Sequence, residues 1–287
     1  MYSGSIYITS KCNQQCTNCL RDNLCKEMDI RHLKRIIINL KTMGFNKITL
    51  LGGEPTIVSW NILTILQFAK QKGFITEIIT NGISLTKEKL EVYSPYLDIL
   101  SLKIDTTDIN VAKELNKSKG FISRSEEIFA LASLNNILCS INTSVTSINF
   151  STLETLYNWV RRQQVYRWTL TQYIPIGESL NNGLALNKES FHQSVDKFKG
   201  HIEEKDLDVI IEDEDDIIMG RALINVFENF FSIVKQGSSY IAKNIGDAKS
   251  INTYNFYNSG LIKKDLFLDY CDLNRKALSR KGKLIIM

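Results

Sequence analysis

The stretch KCNQQCTNCLRD, residues 11–22, sets Cys12, Cys16 and Cys19 in a C-x3-C-x2-C array directly after the branched run SIYIT at 5–9. Three thiols this close, in a chain with six cysteines, point to a shared ligand. Thiolates bind soft metals and iron–sulfur clusters, and loop spacing decides which sulfurs reach one centre. A structural zinc site ordinarily takes four protein ligands, often as two paired C-x2-C elements. No second pair follows here, and His32, His192 and His201 all lie away from the array. Three ligands imply a centre with one position open.

Outward from the array, strand-like and helix-like segments alternate. SIYIT (5–9), KITLL (47–51), FITEIIT (74–80), LDILSLKID (97–105), ILCSINTSV (137–145) and RWTLTQYI (167–174) read as strands rich in branched residues. Between them, 29–44, 59–73, 86–94, 123–136 and 151–163 read as helices, the first two ended by Gly44 and Gly73. This alternation predicts an α/β fold with a parallel sheet, because each crossover returns the chain to the same end. A doubly wound sheet and a partial barrel both satisfy it. Beyond the turn-rich IPIGESLNNG (174–183), a helix is expected near 188–205, and LINVF (223–227) and FFSIV (230–234) suggest a short hairpin or an added sheet. The expected division is 1–183 as the core and 184–287 as an α+β extension. The closing GKLIIM is strand-like, so the chain is either a fragment or docks this strand on the core.

The array after a first strand resembles the signature of the radical S-adenosylmethionine (radical SAM) superfamily, in which three cysteines hold a [4Fe–4S] cluster and the fourth iron binds S-adenosylmethionine. LGGEP at 51–55 resembles that family's GGE motif, with TNG (80–82), SLKID (101–105), INTSV (141–145) and TQYIPIGE (171–178) following at later strand ends. All fall at carboxyl ends of predicted strands, where parallel α/β folds place their sites. The resemblance covers about 5–180. It implies a partial (β/α)6 TIM-type barrel with Cys12, Cys16 and Cys19 as metal ligands. It also implies cofactor contacts from Gly52, Gly53, Glu54, Asn81, Ser101, Asp105 and Asn142. In such enzymes a reduced cluster cleaves S-adenosylmethionine to a 5′-deoxyadenosyl radical that abstracts hydrogen from substrate, and the substrate here is an unidentified small molecule or peptide. An electron donor such as flavodoxin or ferredoxin is then a partner. One departure stands out: Asn18 occupies the position before the third cysteine where members often carry an aromatic residue, and Tyr7 and Tyr173 are the candidates to replace the adenine contact.

Two branches of the family come nearest. Viperin-like enzymes act on nucleoside triphosphates, and 96–108, 140–149 and 166–178 align with them without gaps, Asn142 and Arg167 matching nucleotide contacts. Ser140 and Thr169, however, stand where viperin has phosphate-binding lysines, and phosphate recognition rests on charge-assisted hydrogen bonds. The other branch contains molybdopterin-precursor synthases and peptide-modifying SPASM enzymes. The latter carry auxiliary clusters, for which only Cys25, Cys139 and Cys271 remain. Cys139 reads as a buried structural thiol and Cys25 as a loop thiol. Cys271 is a candidate catalytic thiol, quenching a radical or donating a proton, against the plainer reading of a structural residue. The alternative to an enzyme is a non-catalytic iron–sulfur or zinc-binding module.

The rest of the sequence excludes more than it assigns. The apolar fraction of 44% and charged fraction of 23% are those of an ordinary globular protein. A net charge of +4, with Lys and Arg scattered, falls short of a nucleic-acid footprint. The acidic run EDEDD (212–216) is expected to be a solvated loop. No stretch is long and apolar enough to cross a bilayer and no leader is visible, so a membrane partner is not expected, and clustered cysteines fit a reducing cytoplasm.

Overall fold

The structure is a computed structural model describing residues 2–20, 24–176, 183–203, 207–237 and 239–268. Six strands, β1 (Tyr2–Thr9), β2 (Phe45–Gly52), β3 (Ile75–Thr80), β4 (Ile99–Lys103), β5 (Leu138–Val145) and β6 (Arg167–Gln172), pair in parallel in chain order. Nearest-neighbour parallel order is the topology of a barrel wall, and it separates this fold from a doubly wound sheet, whose order reverses at a switch point. The sheet stays open. On one side β7 (Asp208–Glu212) continues it in parallel from β6. On the other, β8 (Ala222–Ile224) pairs in parallel with β1 and leads into an antiparallel hairpin of β9 (Asn229–Gln236) and β10 (Ser239–Asp247). The expected pairing of LINVF with FFSIV is that of β8 with β9, Leu223 opposite Phe231, as an extension of the main sheet; β10 was not expected, and residues beyond 183 build onto both edges of the sheet.

The helices cover the outer face. α1 (Ile30–Thr42) is started by Asp29, whose carboxylate accepts from the Arg31 and His32 amides, and buries Leu33, Ile36, Ile37 and Leu40 at helical spacing. α2 (Ile62–Gln71) follows β2, α3 (Lys87–Tyr93) follows β3, α5 (Phe121–Leu134) precedes β5, and α6 (Leu153–Val160) precedes β6. The short α4 (Ile109–Glu114) was not expected. Asp108 starts it by accepting from the Asn110 and Val111 amides.

Strand alternation sorts the side chains. Ile6, Ile8, Ile48, Leu50, Ile78 and Leu100 face the helices and join the main core with Leu102, Ile141, Trp168 and Leu170. The intervening residues turn to the concave side, so Ser5, Tyr7, Lys47, Thr49, Glu77 and Asn142 line a polar lumen. Among the tryptophans, Trp168 and Trp159 are buried and Trp60 packs against the core.

Two expectations past residue 183 are corrected. The helix near 188–205 ends early: α7 (Lys188–Val195) gives way to a 3-10 stretch at Asp196–Glu203, which contains Gly200, a poor residue for a helix interior. The run EDEDD is not a solvated loop. Glu212 ends β7 and is buried, and Asp213, also buried, caps α8 (Glu214–Ile217) through a reciprocal capping box with Asp216. A last short helix, α9 (Thr253–Tyr257), buries Phe256 against Phe45 and Phe230.

Candidate active site

The cysteine loop is fixed at the carboxyl rim by backbone contacts. Where β2 ends, the Gly53 amide donates to Thr9 O at 2.6 Å and the Glu54 amide to Lys11 O at 2.8 Å. A Cβ on Gly52, whose φ is +149°, would lie 2.1 Å from Thr9 O, and one on Gly53 would lie 2.1 Å from Lys11 O. The glycine pair is thus required by the approach of its backbone to the segment leading into Cys12. The far side of the loop is stitched to the end of α4: the Thr17 hydroxyl donates to Glu114 O at 2.7 Å and its amide to Leu115 O at 3.2 Å.

Glu54 is fully buried and its carboxylate faces inward. It accepts from the Thr56 amide (3.0 Å) and hydroxyl (2.6 Å), the Thr80 hydroxyl (2.6 Å) and the Asn81 amide (2.8 Å). The ends of β2 and β3 are locked together. Asn81 then reaches the loop, its Nδ2 lying 2.8 Å from Asn13 Oδ1 and 3.8 Å from Cys12 Sγ.

A second tie runs beneath Cys16. Buried Asp105, just past β4, accepts from Lys117 Nζ at 2.6 Å, Asn18 Nδ2 at 3.1 Å and the Ser144 amide at 2.8 Å, and Lys103 Nζ lies 3.4 Å away. Burial alone would raise the Asp105 carboxyl, but Lys103, Lys117 and Asn18 hold it well below the usual carboxylate range. Lys117 Nζ also lies 3.5 Å from Cys16 Sγ. Burial opposes its charge, yet Asp105 and Cys16 raise its pKa above the ordinary lysine value. Burial likewise raises the Cys16 thiol, with Lys117 pulling the other way.

Cys12, Cys16 and Cys19 are all half-buried on this one loop, and the Cys19 amide donates to Cys16 O at 3.2 Å. Among the described residues no three Cys, His, Asp or Glu side chains converge as a ready-made metal cage. The donor set nevertheless suits an iron–sulfur cluster: three free thiols on a single loop, with one cation and one amide already directed at two of the sulfurs.

Ser101 and Asn142 lie deeper. Ser101 donates to Glu77 Oε1 at 2.5 Å and bonds to Ser140 within the sheet, and Asn142 lines the lumen. Glu77 also accepts from Thr49 at 2.6 Å and pairs with Lys47 at 2.7 Å. Burial pushes the Glu77 carboxyl up, but Lys47 and the hydroxyls outweigh it and hold it below its ordinary value. Asn18 is buried on Asp105, Tyr173 is buried, and Tyr7 packs against Phe231 beside the lumen.

Residues 6–160, more than half of the chain, match the model of the radical SAM superfamily. The chain belongs to the radical SAM superfamily. It is similar to an S-adenosylmethionine-dependent nucleotide dehydratase of Flammeovirga pacifica, 29% identical over 215 residues that cover 68% of this chain and 71% of the relative. It is also similar to one of Lacinutrix mariniflava, 24% identical over 274 residues, where 88% of this chain spans little more than half, 56%, of the relative. The fold of this radical SAM chain is shared with Streptococcus suis SuiB, solved bound to S-adenosylmethionine, with a TM-score of 0.66 at 17% identity over 91% of this chain and 66% of that one. Enzymes of this superfamily use a [4Fe–4S] cluster and S-adenosylmethionine, and this chain is one of them. The open sheet is the partial barrel expected of it.

Cys139 is buried and its thiol is pushed up to about 12 by burial, whereas Cys25 is exposed; Cys271 and the GKLIIM segment lie outside the described residues. Sequence reading missed Lys117, the Lys47–Glu77 pair and the Arg221–Glu212 pair (2.6 Å). Lys47 and Glu77 had a signal: each interrupts an apolar strand at a position that alternation assigns to one face. Among the described residues no helix is long and apolar enough to cross a membrane.

Proposed function

We propose that this enzyme acts on a nucleotide-class small molecule held in the lumen of the sheet, with Cys12, Cys16 and Cys19 ligating the cluster. The observation that carries this reading is the attachment of the cysteine loop to the rim directly above a polar lumen. Alternation along β1, β2 and β5 runs from Ser5 and Tyr7 to Thr9, from Lys47 and Thr49 to Leu51 and Gly53, and from Ser140 and Asn142 to Ser144. The same face that lines the cavity therefore leads up to the loop. Bound there, the cluster supplies the electron that cleaves S-adenosylmethionine and so makes a hydrogen-abstracting agent available.

The chain's own residues do the positioning. Gly52 and Gly53 hold the loop against β1, and Glu54 and Asn81 fix the neighbouring strand ends. Asp105 orders Asn18 and Lys117 under Cys16, while Ser101 and Asn142 belong to the wall that faces cofactor and substrate. Residues 184–287 act as a substrate-shaping extension, a role supported by Ile210, Glu212, Arg221 and Leu223 in the lumen wall. The names of the relatives at 24–29% identity support a nucleotide over a peptide. A flavodoxin or ferredoxin is the proposed electron donor and the cytoplasm the proposed compartment, in keeping with the free cysteines.

The test is anaerobic reconstitution with iron and sulfide, reduction with dithionite, and chromatography for 5′-deoxyadenosine with and without a nucleotide panel. Release stimulated by a nucleotide and absent from the Cys16→Ala protein is expected. Cysteine-dependent cleavage that no nucleotide alters would reject the nucleotide substrate and leave the family chemistry standing.

A further inference from the structure

The lumen carries charges of both signs, with Lys47, Arg167 and Arg221 beside Glu77 and Glu212. Lys47 Nζ lies 2.7 Å from Glu77 Oε2, with both side chains more than nine-tenths buried. Arg221 lies 2.6 Å from Glu212 Oε1, a carboxylate that also accepts from the Thr171 hydroxyl at 3.1 Å. Arg167 stands opposite Asp208 in the β6–β7 register. Two of the three cations are thus ion-paired with carboxylates of the lumen, Arg167 shares a register position with Asp208, and the wall between them is neutral, supplied by Ser140, Asn142 and Thr169.

We infer that the lumen is matched to a nucleoside or nucleoside monophosphate rather than to a nucleoside triphosphate. This rests on the nucleotide reading above and deepens it. A triphosphate brings several negative charges, and recognition of such a group relies on surplus cations making charge-assisted bonds. Here the same group would meet two buried carboxylates, Glu77 and Glu212, and like charges at close range oppose binding. Glu77 cannot relieve the clash cheaply by taking a proton, because Lys47, Thr49 and Ser101 all favour its ionised form. The neutral hydroxyl and amide groups suit ribose and base edges, which offer both donors and acceptors.

The experiment is calorimetric titration of the reconstituted, S-adenosylmethionine-loaded protein with the four ribonucleosides, their 5′-monophosphates and their magnesium triphosphates. For the best-bound base, the nucleoside or monophosphate is expected to bind at least tenfold more tightly than the triphosphate. A triphosphate that binds equally well or better overturns the inference while leaving the nucleotide reading intact. If S-adenosylmethionine binds but no member of the panel does, both fall. Glu212→Gln, which removes a negative charge, and Thr169→Lys, which adds a positive one, each shift the lumen's net charge by one unit and should raise triphosphate affinity at least tenfold relative to monophosphate. A ratio unmoved in whichever of the two folds would also overturn the electrostatic basis.

Discussion

Lys117 forms a 2.6 Å ion pair with Asp105 in which both side chains are withdrawn from solvent, 5% and 0% exposed, and the same ammonium reaches Cys16 Sγ at 3.5 Å. The pair joins the loop after α4 to the end of β4 and to the cysteine loop at one point. Removing one partner of a buried pair leaves the other charge uncompensated, at a typical cost of about 3–5 kcal/mol. Asp105→Asn is therefore expected to lower the melting temperature by several degrees and to reduce iron loading after reconstitution. Lys117→Arg should restore much of the loss seen in Lys117→Met. Unchanged iron content in both Asp105→Asn and Lys117→Met would contradict the role of this tie.

Gly53→Ala tests the backbone clamp. Its Cβ would stand 2.1 Å from Lys11 O, a backbone atom that cannot swing away. Overpacking of this kind costs about 1–3 kcal/mol, and here the strain falls on the segment entering Cys12. The variant is expected to keep its far-ultraviolet circular dichroism but to become more sensitive to limited proteolysis near the cysteine loop and to hold less iron. Proteolysis and iron content like those of the parent protein would show that the loop is held some other way.

The thiols should separate by reactivity. Cys139 is buried with its pKa pushed to about 12, so almost none of it is thiolate near neutral pH, whereas Cys25 is exposed. Brief alkylation of cluster-free protein, read by peptide mass spectrometry, is expected to label Cys25 and the half-buried loop cysteines and to spare Cys139 in the native state. Equal labelling of Cys139 without denaturant would contradict its burial. Cys139→Ala should retain the cluster, in contrast to Cys12→Ala, Cys16→Ala and Cys19→Ala.

His192 gives a pH dependence with a defined sign. Its ring nitrogens lie 3.0 Å from Asp196 Oδ1 and 3.0 Å from Asp213 Oδ2, contacts that raise its pKa above the ordinary value. A raised folded pKa contributes stability fully present below the unfolded value, about 6.5, and lost as pH rises through the folded pKa. For Asp213, burial acts to raise the pKa, but Lys188 and His192 lower it to about 2, so its contribution is lost only as pH falls toward that value. Between about pH 6 and 9, the protein should lose a small increment of stability, under about 1 kcal/mol given the partly exposed ring. His192→Ala should flatten that slope, as measured by urea titration at each pH.

Much of this was legible in local sequence. The six parallel strands announced themselves as branched runs between amphipathic helices, because their periodicity is set by neighbours a few residues away. The cysteine array and the glycine pair were legible for the same reason. Lys117 was not: it lies 101 residues from Cys16, and in isolation a lysine after a short helix reads as solvated. The acidic run at 212–216 misled through composition, since Glu212 and Asp213 are buried by Arg221, Lys188 and His192, partners that tertiary structure supplies. Asn18 departs from the aromatic residue common in the family, and its donation to buried Asp105 gives it a structural task.

The parallel pairing of β1 with β8, Gly4 opposite Ala222, bears on how the protein is made. At a synthesis rate of about 5–20 residues per second, roughly 10–40 s pass between the emergence of the two strands from the ribosome. Through that interval β1 can pair with β2, clamping the cysteine loop through Gly53, while its other edge is an unpaired row of donors and acceptors open to foreign strands. Iron delivery to the nascent chain therefore has a loop to meet well before the sheet is finished, and the chain's most hazardous moment, for aggregation, falls in the same window.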